Sequence, residues 1–128
     1  MNFNIPLMSD NITRSDVNEL VDFLQQDPIP RLTNGPKVEE FEKKWSEWLG
    51  VKHSVFVNSG SSANYMTMQL LYYKYGACEV IVPPLTWVSD VASIINTGHN
   101  PVFVDINLSN LSFDIEKLKQ AITPKTKA

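Results

Sequence analysis

The chain has 128 residues, 43% hydrophobic and 20% charged, with a formal net charge of −3. That composition suits one modest globular core, and with no Lys/Arg-rich stripe it gives nucleic-acid binding no electrostatic support. The single cysteine, Cys78, excludes an internal disulfide framework and suits a reducing compartment; with neither a basic-then-apolar leader nor an apolar run of membrane-spanning length, the expectation is a soluble cytoplasmic protein.

Val17, Leu20, Val21 and Leu24 recur at i, i+3, i+4 and i+7, which predicts an amphipathic helix over 13–26. Thr13 or Ser15 can cap it. The prolines of Asp27-Pro28-Ile29-Pro30 enforce an extended segment. Thr33-Asn34-Gly35-Pro36 reads as a turn that opens a second helix, with Pro36 near its first position and Gly50 as its stop. Its expected buried stripe is Val38, Phe41, Trp45 and Trp48 or Leu49. Glu39 with Lys43 and Glu40 with Lys44 are favourable pairs on the wet side.

From there the pattern alternates. Residues 54–57 read as a short buried strand and 61–73 as a helix. Residues 79–82 read as a strand halted by Pro83-Pro84, and 87–96 as a helix ended by Gly98. Residues 102–104 read as a strand and 114–122 as a helix ended by Pro124. Short β-rich runs between helices predict an α/β fold with a mainly parallel sheet and helices on its faces. Residues 123–128 follow a helix-like segment and then stop, where the next element of the alternation should be a strand, so the chain reads as cut short. In such sheets ligands bind outside the carboxyl ends of the strands.

The strongest local feature lies at one of those ends: Asn58-Ser59-Gly60-Ser61-Ser62-Ala63-Asn64. The first amides of a helix lack internal partners and favour an anion. Gly60 lets the backbone approach a ligand, and Ser61 and Ser62 add hydroxyls, so the segment reads as a phosphate cradle. Taken alone, it also reads as a plain capped helix after a tight turn. It is neither a Walker loop nor a dinucleotide fingerprint. Pro83-Pro84-Leu85-Thr86-Trp87 reaches the same rim, where Trp87 is either a plate for a flat ring or a core residue at a helix start. Together they suit a phosphorylated planar ligand, either pyridoxal phosphate (PLP) or a nucleotide. Asp105 reads as a turn residue. Tyr72, Tyr73 and Tyr75 read as a packed helix end. His53 and His99 read as isolated, which predicts no metal site, and Cys78, with no His near it in sequence, reads as structural.

Seven segments, in order, carry a resemblance. They are Ile5-Pro6-Leu7, the run from Leu32 through Glu42, Val57-Asn58-Ser59-Gly60-Ser61-Ser62-Ala63, Glu79-Val80-Ile81-Val82-Pro83, Leu85-Thr86-Trp87-Val88-Ser89, Asn100-Pro101-Val102-Phe103-Val104-Asp105-Ile106, and the run from Ala121 through Ala128. On these the chain resembles the DegT/DnrJ/EryC1/StrS family of PLP-dependent sugar aminotransferases. The resemblance implies aminotransferase fold type I: an N-terminal helical segment at 1–30, the first part of the large PLP domain at 31–128, and a smaller C-terminal domain beyond. It implies that Gly60, Ser61 and Ser62 hold the cofactor phosphate and that Trp87 stacks on its ring. It places the loop of Thr33, Asn34 and Gly35 near the substrate and the subunit interface of a homodimer.

The same resemblance puts two decisive residues beyond Ala128: the acid that pairs with the pyridine nitrogen and the lysine that bonds covalently to PLP. Lys117, Lys119, Lys125 and Lys127 do not match that lysine's motif, so no catalytic residue is assigned and the chain alone is expected to be inactive. The implied activity is transfer of an amino group, from glutamate, to a nucleotide-linked keto-sugar in surface-polysaccharide synthesis. Some relatives instead carry histidine for lysine and act as sugar 3-dehydrases; Gly60-Ser61-Ser62-Ala63-Asn64 leans to that branch and Leu85-Thr86-Trp87-Val88-Ser89 to the aminotransferases. A non-catalytic module that binds a nucleotide or sugar phosphate is the third reading.

Overall fold

The computed structural model describes residues 11–128, so the segment Ile5-Pro6-Leu7 lies outside the described residues. The chain divides into two compact units, one ending at Phe56 and one running from Val57 to Ala128.

Among the described residues, the first unit holds two helices, α1 (Arg14–Leu24) and α2 (Pro36–Leu49). Thr13, the first of the two expected caps, starts α1. Its Oγ1 accepts the Asp16 N–H at 3.3 Å, and the Asp16 carboxylate accepts the Thr13 N–H at 2.7 Å, a reciprocal capping box. Pro36 occupies the first turn of α2, and Gly50 ends it at φ 74°, a conformation glycine adopts without penalty. Glu40 pairs with Lys44 as expected, at 2.6 Å, and also with Lys37 at 2.9 Å.

Two expectations fail here. The apolar stripe expected to be buried on α2 is largely exposed: Phe41 is 47% and Trp48 74% exposed. An amphipathic stripe is buried only where another element covers it. Among the described residues of this unit the aromatic groups instead pack on one another, Phe41 on Trp45 at 5.9 Å and Trp45 on Trp48 at 5.0 Å between ring centroids. Residues 54–57 form no strand. A strand exists through its pairing, and this segment bonds to α2 side chains instead. The Phe56 N–H goes to Glu42 Oε1 at 2.7 Å, and Ser46 Oγ donates to Ser54 Oγ at 2.9 Å.

The second unit runs α3 (Gly60–Tyr75), β1 (Glu79–Val82), α4 (Val88–Asn96), β2 (Asn100–Phe103) and α5 (Ile115–Ala121). β1 and β2 are parallel, in register from Glu79 opposite Asn100 to Val82 opposite Phe103. α4 forms the crossover that a parallel pair needs. The period of two along β1 turns Val80 and Val82 inward. They form the core with Cys78 and Ile94, packed by Met68 and Leu71 of α3 and Val91 of α4.

Residues 125–128 run beside the other edge of β1. The Glu79 N–H bonds to the Lys125 carbonyl at 3.0 Å, the Lys127 N–H to the Glu79 carbonyl at 3.0 Å, and the Ile81 N–H to the Ala128 carbonyl at 2.9 Å. β1 is therefore flanked on both sides: residues 125–128 already supply an extended segment beside it, earlier in the chain than expected. Asp114 caps α5, accepting the N–H groups of Glu116 and Lys117.

Candidate functional site

The tip of α3 follows from its sequence. Ser59 has extended backbone and its Oγ accepts the Ser62 N–H at 3.1 Å, the usual role of a serine N-cap. The Ser62 hydroxyl is engaged as well, donating to Asn58 Oδ1 at 2.6 Å. The cap thus uses Ser62 and leaves the amides of Gly60 and Ser61, first in the helix, without a carbonyl one turn back. A Cβ built on Gly60 would meet nothing within 4 Å. Gly60 also has no positive φ, so neither backbone strain nor packing within the unit requires glycine there.

The second part is the start of α4. Trp87 is its N-cap residue and has no side-chain oxygen with which to cap. Its neighbours hold it instead. Thr86 Oγ1 donates to Asp90 Oδ2 at 2.5 Å, and the Asp90 N–H bonds to the Trp87 carbonyl at 3.0 Å. Trp87 is 76% exposed, so the core-residue reading of this tryptophan is overturned.

Asn64, in the second turn of α3, joins the two helix starts. Its Nδ2 donates to Asp90 Oδ1 at 2.6 Å and approaches Ser89 Oγ at 3.4 Å. A cavity of about 280 Å³ opens beside this junction, lined in part by Asn64, Thr67, Val82, Pro83, Thr86 and Asp90. It therefore sits at the carboxyl end of β1, where ligands of open α/β sheets bind. Gly60, Ser61 and Ser62 are at one helix start of this junction and Trp87 at the other. Thr33, Asn34 and Gly35 belong to the first unit. There Thr33 Oγ1 accepts from Arg31 Nε at 3.2 Å, and Gly35 is the buried N-cap of α2.

Sequence reasoning gave Asp90 no role and quoted Asn64 only as part of a motif. The available signal was a threonine and an aspartate four apart across a helix start whose N-cap position, Trp87, has no oxygen with which to cap. Sequence reasoning also read His99 as isolated and Cys78 as lacking a histidine, and both statements need correction. His99 Nδ1 lies 3.2 Å from both Cys78 Sγ and Cys78 N, and Nε2 lies 3.0 Å from the Met68 carbonyl. The Met68 carbonyl can only accept and the Cys78 N–H can only donate, so the partners assign the proton to Nε2. Burial pushes the Cys78 thiol up, with the Lys127 charge acting in the opposite direction. A buried thiol of that kind is a poor nucleophile, and the pair ties α3 to the sheet. Asp105 fits its turn role. Lys117 holds its carboxyl below the usual range, and its Oδ1 accepts the Ile106 N–H at 2.9 Å.

Among the described residues no helix is long and apolar enough to cross a membrane. The fold is the expected α/β class, part of the large domain of aminotransferase fold type I. Residues 10–128 match the DegT/DnrJ/EryC1/StrS aminotransferase family, and the chain belongs to it. It is 38% identical over 126 residues to the spore coat polysaccharide biosynthesis protein SpsC of Bacillus subtilis, covering 98% of this chain and 30% of that protein. It is 37% identical over 131 residues to a GDP-4-keto-6-deoxy-D-mannose 3-dehydratase of Yersinia pseudotuberculosis, covering 98% of this chain and 32% of that enzyme. Among solved structures it matches Spr1654 of Streptococcus pneumoniae, assigned as a sugar aminotransferase, in its PLP form. That match has a TM-score of 0.80 at 35% identity and covers 98% of this chain and 31% of that one. The chain spans about a third of the length of these relatives.

Proposed function

We propose that this chain forms the phosphate-holding and ring-stacking part of a PLP enzyme that transfers an amino group, from glutamate, to a nucleotide-linked keto-sugar. The observation that carries the reading is the junction of the two helix starts: one has, among the described residues, open space at Gly60 and no hydrogen-bond partner for the Gly60 and Ser61 amides, and the other has an exposed Trp87. The residues fit the group. The α3 tip offers N–H donors and the Ser61 hydroxyl to a phosphate, the missing side chain at Gly60 leaves room for it, and an indole free of the core can lie on a flat ring.

When bound, PLP supplies an electron sink that lets an amino group leave one carbon and join another. The chain's own residues bind and orient. The amides of Gly60 and Ser61 neutralise phosphate charge with fixed dipoles. Trp87 covers one ring face and excludes water from it. Asn64, Thr86 and Asp90 hold the two supports at a set spacing. The loop of Thr33, Asn34 and Gly35 would contact the nucleotide-sugar, and the protein would act as a cytoplasmic homodimer.

A 3-dehydrase on the same scaffold is the second reading, favoured by the 37% identity to the Yersinia dehydratase. The test is to incubate the full-length protein with PLP, glutamate and a nucleotide-linked 4-keto-sugar and identify the sugar product by mass. An amino-sugar supports the transferase, and a 3-deoxy-keto-sugar supports the dehydrase. No cofactor uptake and no product would support the non-catalytic binding module.

A further inference from the structure

We infer that Asp90 is a positioning residue for the cofactor: its carboxylate fastens the phosphate-holding tip of α3 to the loop that presents Trp87. The inference rests on the PLP reading above. Trp87 starts α4 without a capping side chain, and an exposed indole has little packing to fix it. Asp90 compensates through both of its oxygens. Oδ2 accepts from Thr86, the residue before Trp87, and Oδ1 accepts from Asn64 of α3. The backbone of Trp87 is thus enclosed in a short loop closed by Thr86 and Asp90, and that loop is tied to α3. Asp90 lies within the first turn of α4, where the helix dipole favours its negative charge. Asn64, Ser89 and Asp90 are half-buried, so these bonds are partly shielded from water and hold geometry better than exposed ones.

The pair needs one donor and one acceptor, which makes it separable from a mere requirement for a charge at residue 90. Asn64→Asp sets two carboxylates against each other. Adding Asp90→Asn restores the bond with its direction reversed, while the oxygen of the new amide still accepts from Thr86. Asp90→Ala removes both links.

The experiment uses the full-length protein, with PLP as the probe. It measures the dissociation constant, the circular dichroism of the bound cofactor, which reports how firmly the ring is oriented, and the far-ultraviolet spectrum as a folding check. The expected result is that Asp90→Ala and Asn64→Asp each weaken PLP on the order of tenfold and reduce the ellipticity per bound cofactor. The double variant Asn64→Asp/Asp90→Asn should return both readouts towards wild type. If wild type binds PLP and either the single variants bind it equally well or the double variant fails to recover, the positioning role is overturned and the PLP reading survives. If wild type takes up no PLP, both are overturned together.

Discussion

Asn64 Nδ2 and Asp90 Oδ1 lie 2.6 Å apart, although 26 residues separate them. That bond ties the second turn of α3 to the first turn of α4, so the helix that begins at Gly60 and the helix that begins after Trp87 are linked through side chains. Its consequences can be measured residue by residue.

Gly60 has open space where a side chain would be and no positive φ. Gly60→Ala should therefore leave stability unchanged or raise it by roughly 0.5 kcal/mol, through the lost freedom of the unfolded chain. It should nevertheless weaken PLP by on the order of tenfold, because the methyl group occupies the phosphate's approach. Thermal melting and cofactor titration of the same variant separate the two effects. A large loss of stability would mean that glycine is needed for folding.

Trp87 is 76% exposed. Its replacement by alanine should cost less than about 0.5 kcal/mol of stability, as for most surface changes. Loss of ring stacking should cost PLP binding about 1 kcal/mol, and Trp87→Phe should recover part of it. Denaturant unfolding and cofactor titration provide the check.

His99 is buried, with partners at both nitrogens. His99→Ala strands the Cys78 N–H and the Met68 carbonyl, and should destabilise the second unit by about 2 kcal/mol or more. Cys78 should react slowly with thiol reagents in the wild-type protein, since burial disfavours its thiolate. It should react faster in the variant. Equal labelling rates would count against the packing described.

Glu40 offers a pH test. Its hydrogen bond to Lys44, followed by that to Lys37, lowers its carboxyl from 4.5 to about 2. A depressed carboxyl contributes stability above its unfolded value, and that contribution is lost as pH falls from about 4.5 towards 2. The group is solvent-exposed, so salt should weaken the effect. Carbon-13 NMR of the Glu40 carboxyl should show a midpoint well below an ordinary glutamate, and Lys44→Met should raise it.

Much of the second unit was legible because local chemistry decides it. β1 is halted by Pro83-Pro84, α4 is stopped by Gly98 at φ 83°, and α5 is opened by Asp114. Residues 54–57 were misread because apolar β-branched composition specifies an extended chain but not its partner. The α2 stripe is exposed against expectation for a related reason: periodicity identifies the face that seeks cover and is silent on what covers it. At the site, Ser59 to Ser62 could be found because a helix start is a local feature. The Asn64–Asp90 and Cys78–His99 contacts could not, since they link residues 26 and 21 apart that only the packed helices bring together.

The most direct measurement is a crystal structure of the full-length protein with PLP. The cofactor phosphate should accept hydrogen bonds from the Gly60 and Ser61 amides, with the Trp87 indole lying flat on the ring. A phosphate bound elsewhere, or a ring out of contact with Trp87, would contradict the account.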